Sequence, residues 1–175
     1  FRADNDARLA ALLPPARFPA IHAERHRSYP NFLKLTDPHA GAHGWRLVLD
    51  SDMLFFNRPD FLLALLAAPD RPLHMTDVEK AYGDPRPLMA ELAGAPIPPL
   101  VNVGLAGLQS DRIDWEQLEF WCRRLIEAHG TGYYLEQALT AMLVAGRACA
   151  IAPADDYRLA PGEAGDIRQH LAQPH

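Results

Sequence analysis

A short apolar run that ends in two acidic residues is the feature that most constrains the fold of this chain. The run spans residues 47–49 (Leu-Val-Leu), and Asp50, Ser51 and Asp52 follow it at once. An apolar run without polar alternation is typical of a strand covered on both faces, as in a parallel α/β sheet. Open α/β sheets bind their ligands at the carboxyl ends of such strands. The sequence therefore predicts a buried strand with a ligand site at its end.

Strand-like and helix-like segments alternate along the rest of the chain. The predicted strands, beside the one at 47–49, are 18–23, 73–76, 101–108 and 148–152. The predicted helices are 6–13, 31–43, 61–68, one that Asp114 caps and Gly130 ends, and one from 135 that stops at Gly146. A proline-rich loop at 83–99 with one helical turn near 88–92 is also expected. This alternation predicts one α/β domain over residues 1–175, with a mixed, mostly parallel sheet flanked by helices.

The charge and the apolar runs argue against two classes of protein. The net charge of −5 disfavours a general nucleic-acid binder, whose phosphate contacts require a basic surface. The longest apolar run, residues 61–68, is far shorter than the roughly 20 residues of a membrane-spanning helix. Cys122 and Cys149 lack a Cys or His partner at zinc-like spacing, which favours buried free thiols in a reducing compartment. We therefore expect a cytoplasmic protein, free or peripherally attached to a membrane.

The two aspartates after the apolar run are candidate metal ligands. In extended backbone, residues i and i+2 point the same way, so Asp50 and Asp52 are expected to face one cavity. A divalent cation relieves the repulsion between two such carboxylates, and Mg²⁺ or Mn²⁺ typically combines them with substrate phosphates. The alternative is that the two acids are loop residues that cap the next helix. By the same strand-end argument, Asp77, which follows the strand at 73–76, is a candidate catalytic residue.

Three segments together resemble the GT-A-fold glycosyltransferases, and in particular the family 8 enzymes (glycogenin-like and galactosyltransferase-like) and their bacterial relatives. The segment 45–56 (WRLVLDSDMLFF) looks like the DxD segment of that family. The segment 102–107 (NVGLAG) resembles its Asn-x-Gly strand beside the donor sugar. The segment 134–137 (YLEQ) resembles the acidic-Gln pair that opens the following helix. The resemblance covers residues 29–152 and implies a metal-dependent transfer of a hexose from a nucleotide-diphosphate sugar, UDP-sugar favoured, to a hydroxyl acceptor.

The resemblance also implies roles for individual residues. Asp50 and Asp52, with Ser51 between them, would hold Mn²⁺ or Mg²⁺ against the donor diphosphate, since a bound metal stabilises the departing nucleoside diphosphate. Lys34 lies where the family has a basic residue near the phosphates. Asn102 and Gly104 are implied to shape the sugar pocket. Glu136 and Gln137 are implied to lie at the reacting carbon. For Glu136 the simpler interpretation is an acid that favours the dipole of its own helix.

The chain departs from the family pattern in two ways, and two other functions stay open. The family's third metal ligand is a His near the end of the domain, and neither His170 nor His175 has the expected surroundings. Only about one βα unit fits before residue 46, so the resemblance implies a partial domain without its first βα units, which need not be active alone. The alternatives are a haloacid-dehalogenase-like phosphatase, using Asp155 and Asp156 as a later acidic pair, and a truncated non-catalytic α/β interaction module.

Overall fold

The computed structural model describes residues 2–27, 30–78, 82–83 and 86–157, without the side chains of residues 2 and 3. The described helices are α1 (Arg2–Leu12), α2 (Pro19–Arg25), α3 (Phe32–Thr36), α4 (Asp60–Ala67), α5 (Arg86–Ala93), α6 (Trp115–His129) and α7 (Leu135–Leu143). The described strands are β1 (Trp45–Leu49), β2 (Leu73–Thr76), β3 (Val101–Gln109) and β4 (Ala150–Ile151). The predicted α/β class is therefore confirmed.

The four strands form one mixed sheet in the order β1-β3-β2-β4. β3 runs antiparallel to both of its neighbours, and only β2 and β4 pair in parallel. The prediction of mostly parallel pairing is therefore wrong, because β3 lies between β1 and β2 and points the other way. Since β1, β2 and β4 still share one direction, their carboxyl ends lie at the same end of the sheet, and the start of β3 lies there too. This end of the sheet, which runs across all four strands, is called the site edge below.

An irregularity in β3 shapes the site edge. His74 of β2 pairs with Ala106, and Met75, the next residue, pairs with Asn102, so residues 103–105 of β3 have no partner on β2. Bulges of this kind bend a strand and redirect its side chains, and glycine is common at them because it allows close backbone approach. Gly104 occupies the middle of this bulge. The irregularity concerns only the β2 side of β3, because the pairing of β3 with β1 continues without a break up to Leu49 and Leu105.

Two hydrophobic clusters pack on the two sides of β3. Leu105 belongs to a small cluster that contains Leu62 of α4, whereas Ala106 and Leu108 belong to the larger cluster that includes Leu139 of α7. Adjacent residues of a strand point to opposite faces, which accounts for the division. Helices thus lie on both faces of the sheet, as expected for an α/β domain. β1 itself is an edge strand with no fully buried residue, and Leu49 is exposed, so the prediction of a buried strand covered on both faces is wrong for the run at 47–49.

The segment 18–23, predicted as a strand, is instead part of helix α2. Pro19 occupies the start of this helix, where its missing N–H is not needed and its fixed φ is already helical. The backbone N–H groups of Ala20 and Ile21 donate to the carboxylate of Glu119 on α6, at 3.0 and 2.9 Å. The helix start is thus satisfied by a residue almost a hundred positions away, which the local sequence pattern does not contain.

The other helices follow the sequence patterns more closely. Asp114 accepts a hydrogen bond from Gln117 N at 3.1 Å at the start of α6, and Gly130 ends that helix at a φ of 76°, as predicted. α3 ends at Thr36 rather than near 43, since the chain turns at Pro38. The proline-rich loop holds a full helix, α5, in place of one turn.

Two smaller predictions concern membrane segments and thiols. Within the described ranges, the helices are all too short or too polar to cross a membrane. Both cysteines are free thiols, Cys122 buried and Cys149 half-buried.

Candidate functional site

The chain turns immediately after β1, at the first of the two candidate metal ligands. β1 ends at Leu49, and Met53 N donates to the carbonyl oxygen of Asp50 at 3.2 Å, which closes a turn. The premise that Asp50 and Asp52 lie on extended backbone is therefore wrong, because the alternation of side chains holds only within a strand. Ser51 and Asp52 are exposed at the surface of this turn, whereas Asp50 is half-buried. Whether both carboxylates hold one cation stays a prediction.

A lysine joins the end of β1 to the start of α7. Lys34 Nζ on α3 lies 2.7 Å from Asp50 Oδ1 and 3.8 Å from Glu136 Oε2. Three segments that are far apart in sequence thus place a cation between two carboxyl groups. Because all three side chains are at least partly shielded from water, their interactions are stronger than those of a surface ion pair.

Glu136 is the most unusual titratable group of the site. Only 5% of this residue is exposed, although it carries a carboxyl group. Burial raises the pKa of Glu136 to about 8, and the negative charge of Asp50 adds to this effect, while the ammonium of Lys34 and a hydrogen bond with Thr140 oppose it. At neutral pH the carboxyl group therefore holds its proton in most molecules. A group with so large a shift in a site with other charges is a candidate for acid–base chemistry.

The start of β3 lies directly against Asp50. Asp50 N donates to the carbonyl oxygen of Gly104 at 2.8 Å, and Gly104 N donates to Asn102 Oδ1, also at 2.8 Å. A Cβ on Gly104 would lie 3.0 Å from Asn102 Oδ1 and 3.4 Å from Asp50 Oδ2. A side chain at this position would thus crowd two polar side chains, whereas the φ angle of Gly104 is not in the left-handed region.

Asp77 and Gln137 form a second contact between the sheet and α7. Gln137 Nε2 donates to Asp77 Oδ2 at 2.9 Å, and Val78 N donates to Asp77 Oδ1 at 2.8 Å. Both side chains are buried. Asp77 therefore holds the first turn of α7 in place, which makes it a positioning residue in this structure.

Most of the predicted site residues meet at the site edge. One connected group, called the site cluster below, contains Lys34, Asp50, Asn102, Gly104 and Glu136. Asp77 and Gln137 join it through α7, whereas Ser51 and Asp52 lie exposed on the turn. His170 and His175, the candidates for a third metal ligand, lie outside the described residues.

The carboxylates of Asp50 and Asp52 fit a hard cation that takes its other coordinating oxygens from a bound phosphate and from water. Across the residues that the structure describes, no group of three or more His, Cys, Asp and Glu side chains could hold a metal ion by itself. Mg²⁺ and Mn²⁺ accept one or two carboxylates and take the remaining positions from water and phosphate. Lys34 Nζ contacts Oδ1 of Asp50 at 2.7 Å, whereas Oδ2 lies on the side of Gly104. Asp50 and Asp52 are thus suitable for a cation that arrives with a diphosphate.

Sequence reasoning missed a cleft beside the site cluster. The cleft lies between the residues that connect α2 with α3 and those that connect α6 with α7, and Glu136 is part of its lining. Its buried Glu24 accepts hydrogen bonds from Arg27 and from Thr131, which is 107 positions away. The Glu24–Arg27 spacing of three residues on a helical segment is a local signal for an ion pair. Nothing in the sequence pattern indicates the contact with Thr131.

Comparison of the chain with protein-family models, with curated proteins and with solved structures finds no match. The resemblance to GT-A-fold enzymes therefore depends on the three sequence motifs alone.

Proposed function

We propose that this chain is a GT-A-like domain of a metal-dependent glycosyltransferase, which moves a hexose from a nucleotide-diphosphate sugar to a hydroxyl acceptor. The observation that carries the proposal is the contact of Lys34 with both Asp50 and Glu136. In the resemblance, Lys34 is the basic residue near the phosphates, Asp50 belongs to the DxD segment and Glu136 to the acidic-Gln pair. These positions are separated in the sequence. Their convergence at the carboxyl end of β1 is what a shared donor site requires.

The residues of the site cluster have complementary tasks in such a transfer. Asp50 and Asp52 would hold Mn²⁺ or Mg²⁺, which when bound neutralises charge on the departing nucleoside diphosphate. Lys34 adds a fixed positive charge beside the same oxygens. The absence of a side chain at Gly104 lets Asn102 and Asp50 lie close together at the end of β1. A UDP-sugar is the favoured donor, as the resemblance implies.

Glu136 contributes a buried carboxyl group that holds a proton at neutral pH. In this state it donates a hydrogen bond to a sugar hydroxyl, and it accepts one through its other oxygen. The contact between Gln137 and Asp77 fixes the helical turn that carries Glu136. The two residues of the acidic-Gln pair thus have different tasks, Glu136 towards the ligand and Gln137 towards the sheet.

The phosphatase alternative fits the sheet order poorly. Asp155 and Asp156 follow β4, which lies at the edge of the sheet opposite β1. Neighbouring strands are about 4.8 Å apart, so three steps across the sheet separate β1 from β4 by roughly 14 Å. Two acidic pairs that act on one phosphate group are expected to follow neighbouring strands instead. The non-catalytic alternative is addressed by the binding experiment.

The experiment measures binding of UDP and GDP by titration calorimetry, with and without Mn²⁺, and hexose transfer from the corresponding sugar nucleotides. We expect Mn²⁺-dependent binding of UDP that weakens about tenfold or more, or about 1.4 kcal/mol, in Asp50→Asn and Asp52→Asn. Asp70→Asn is the matched control, because Asp70 is an exposed carboxylate that precedes β2 at the other end of the sheet. Its binding should equal that of the parent.

Three outcomes contradict the proposal. The first is that the Asp50 and Asp52 variants bind and turn over donor as well as the parent does. The second is release of phosphate from a simple phosphomonoester, which favours the phosphatase. The third is that neither nucleotide nor Mn²⁺ binds, which favours the interaction module.

A further inference from the structure

The cleft beside the site cluster has the size of a site for a small ring. Its volume is about 230 Å³, below the roughly 300 Å³ at which sites for drug-sized ligands begin. One wall is formed by the end of α2 and the start of α3, and the other by the residues between α6 and α7. A ligand of this size is a single sugar ring rather than a nucleotide.

A buried carboxylate connects the two walls of the cleft. Glu24 is only 4% exposed, and its Oε1 accepts from Arg27 Nε at 2.6 Å. Its Oε2 accepts from Thr131 Oγ1 on the opposite wall at 2.7 Å. Each carboxylate oxygen has a second lone pair, so Glu24 can still accept from a ligand hydroxyl. The cleft is thus organised before a ligand arrives, which reduces the entropic cost of binding.

The remaining lining matches the chemistry of a sugar. Asn31 supplies an amide group, while Tyr133 and Phe32 supply aromatic rings against which the apolar face of a pyranose packs. The guanidinium of Arg27 is already paired with Glu24, and the other titratable groups of the lining, apart from the phenol of Tyr133, are the imidazole of His26 and the carboxyl group of Glu136. With no excess positive charge, the cleft disfavours a phosphate or a carboxylate ligand.

The position of Glu136 links this cleft to the site cluster, since Glu136 lines the cleft and also contacts Lys34. We propose that the cleft binds an uncharged saccharide as the acceptor, with one of its hydroxyl groups at Glu136. The role as acceptor rests on the proposed glycosyltransferase function, whereas saccharide binding itself does not. In the transfer, the acceptor oxygen bonds to the anomeric carbon as the bond from that carbon to the diphosphate breaks. The departing diphosphate oxygen keeps the electron pair and takes the acceptor's proton.

The test is saturation-transfer NMR and titration with methyl β-glucoside, methyl β-galactoside, maltose and lactose, each with and without UDP and Mn²⁺. Glucose 6-phosphate is the charged comparison. The variants are Tyr133→Ala, at a 54% exposed rim residue, and Thr131→Val, which removes only the hydroxyl that reaches Glu24. Phe120→Ala is the matched control, since Phe120 is an exposed aromatic residue of α6 outside the cleft lining.

We expect at least one uncharged saccharide to bind, and its Kd to rise about tenfold in Tyr133→Ala and in Thr131→Val. The Kd should not change in Phe120→Ala, and binding of UDP with Mn²⁺ should not change in any of the three variants. Equal saccharide binding by the parent and both cleft variants would overturn the assignment of the cleft, and tighter binding of glucose 6-phosphate would overturn its charge preference.

The same measurements separate this inference from the proposed function. If UDP binds with Mn²⁺ and no uncharged saccharide binds under either condition, the acceptor cleft is wrong and the glycosyltransferase proposal stands. If a saccharide binds in the cleft but UDP does not bind, the cleft stands as a saccharide site. In that case the glycosyltransferase proposal and the acceptor role fail together.

Discussion

Replacing Glu136 by Gln should stabilise the folded protein at neutral pH and remove the loss of stability that this residue causes as the pH rises towards 8. The buried carboxyl group has a pKa of about 8 in the folded protein, against 4.5 for an ordinary Glu. Between these values the folded protein holds a proton that the unfolded chain has released. Stability therefore falls as the pH rises through this range, and it stops falling above pH 8. Gln keeps the size and hydrogen-bonding groups of the side chain but cannot ionise.

The expected magnitude follows from the size of this pKa difference. Each pH unit between the two pKa values costs the folded protein about 1.4 kcal/mol, so at pH 7 the cost reaches about 3 kcal/mol. Lys34 opposes this cost but does not remove it, because its Nζ is nearer to Asp50 than to Glu136. We therefore expect Glu136→Gln to raise the free energy of unfolding at pH 7 by up to about 3 kcal/mol. Hexose transfer should fall at the same time, since a site residue is held at a cost in stability.

The assay is urea unfolding of the parent and the variant at several values between about pH 6.5 and 7.5. The two proteins are compared at each pH, because the buried His39 and His74 also make the stability of both depend on pH near 6.5. The stability gained by Glu136→Gln over the parent should grow by about 1 kcal/mol over that unit. Glu127→Gln is the control, because Glu127 is an exposed carboxylate on α6 and should keep the slope of the parent. A variant that is less stable than the parent at pH 7, or that keeps the parent's slope, would refute the reasoning.

Three further predictions concern other parts of the fold. Gly104→Ala places a Cβ 3.0 Å from Asn102 Oδ1, so we expect a loss of about 1–3 kcal/mol in thermal unfolding together with weaker binding of UDP and Mn²⁺. Burial lowers the pKa of His39 to about 4, and nearby positive charge adds to the effect. Between pH 4 and 6.5 the unfolded chain therefore holds a proton on this residue that the folded protein does not, and stability falls as the pH falls. His39→Gln should remove this contribution and flatten the acid side of the curve of stability against pH. Tyr82→Phe removes the hydroxyl that accepts from Val101 N at 2.9 Å, and urea unfolding should show a loss of about 1–3 kcal/mol. Unchanged unfolding in any of these variants would contradict the corresponding contact.

Local patterns in the sequence were sufficient for the elements whose signals lie within a few residues. The apolar run before Asp50, the cap at Asp114 and the apolar stripe of α7 predicted β1, α6 and α7 close to their observed bounds. The same reasoning, with the resemblance, selected Lys34 and Glu136 as site residues. Periodicity and caps are properties of one segment, so a single sequence reveals them.

The tertiary structure alone decided the features that depend on two distant segments. Helix α2 begins where Glu119 accepts its first N–H groups, and β3 inserts antiparallel between β1 and β2. Glu136 acquires its raised pKa only through burial in the folded protein. Strand direction, desolvation and a hydrogen bond over a long sequence distance are set by which surfaces pack together. The sequence by itself thus determined which residues could form a site at the end of β1. Packing determined their contacts, their protonation and the cleft beside them.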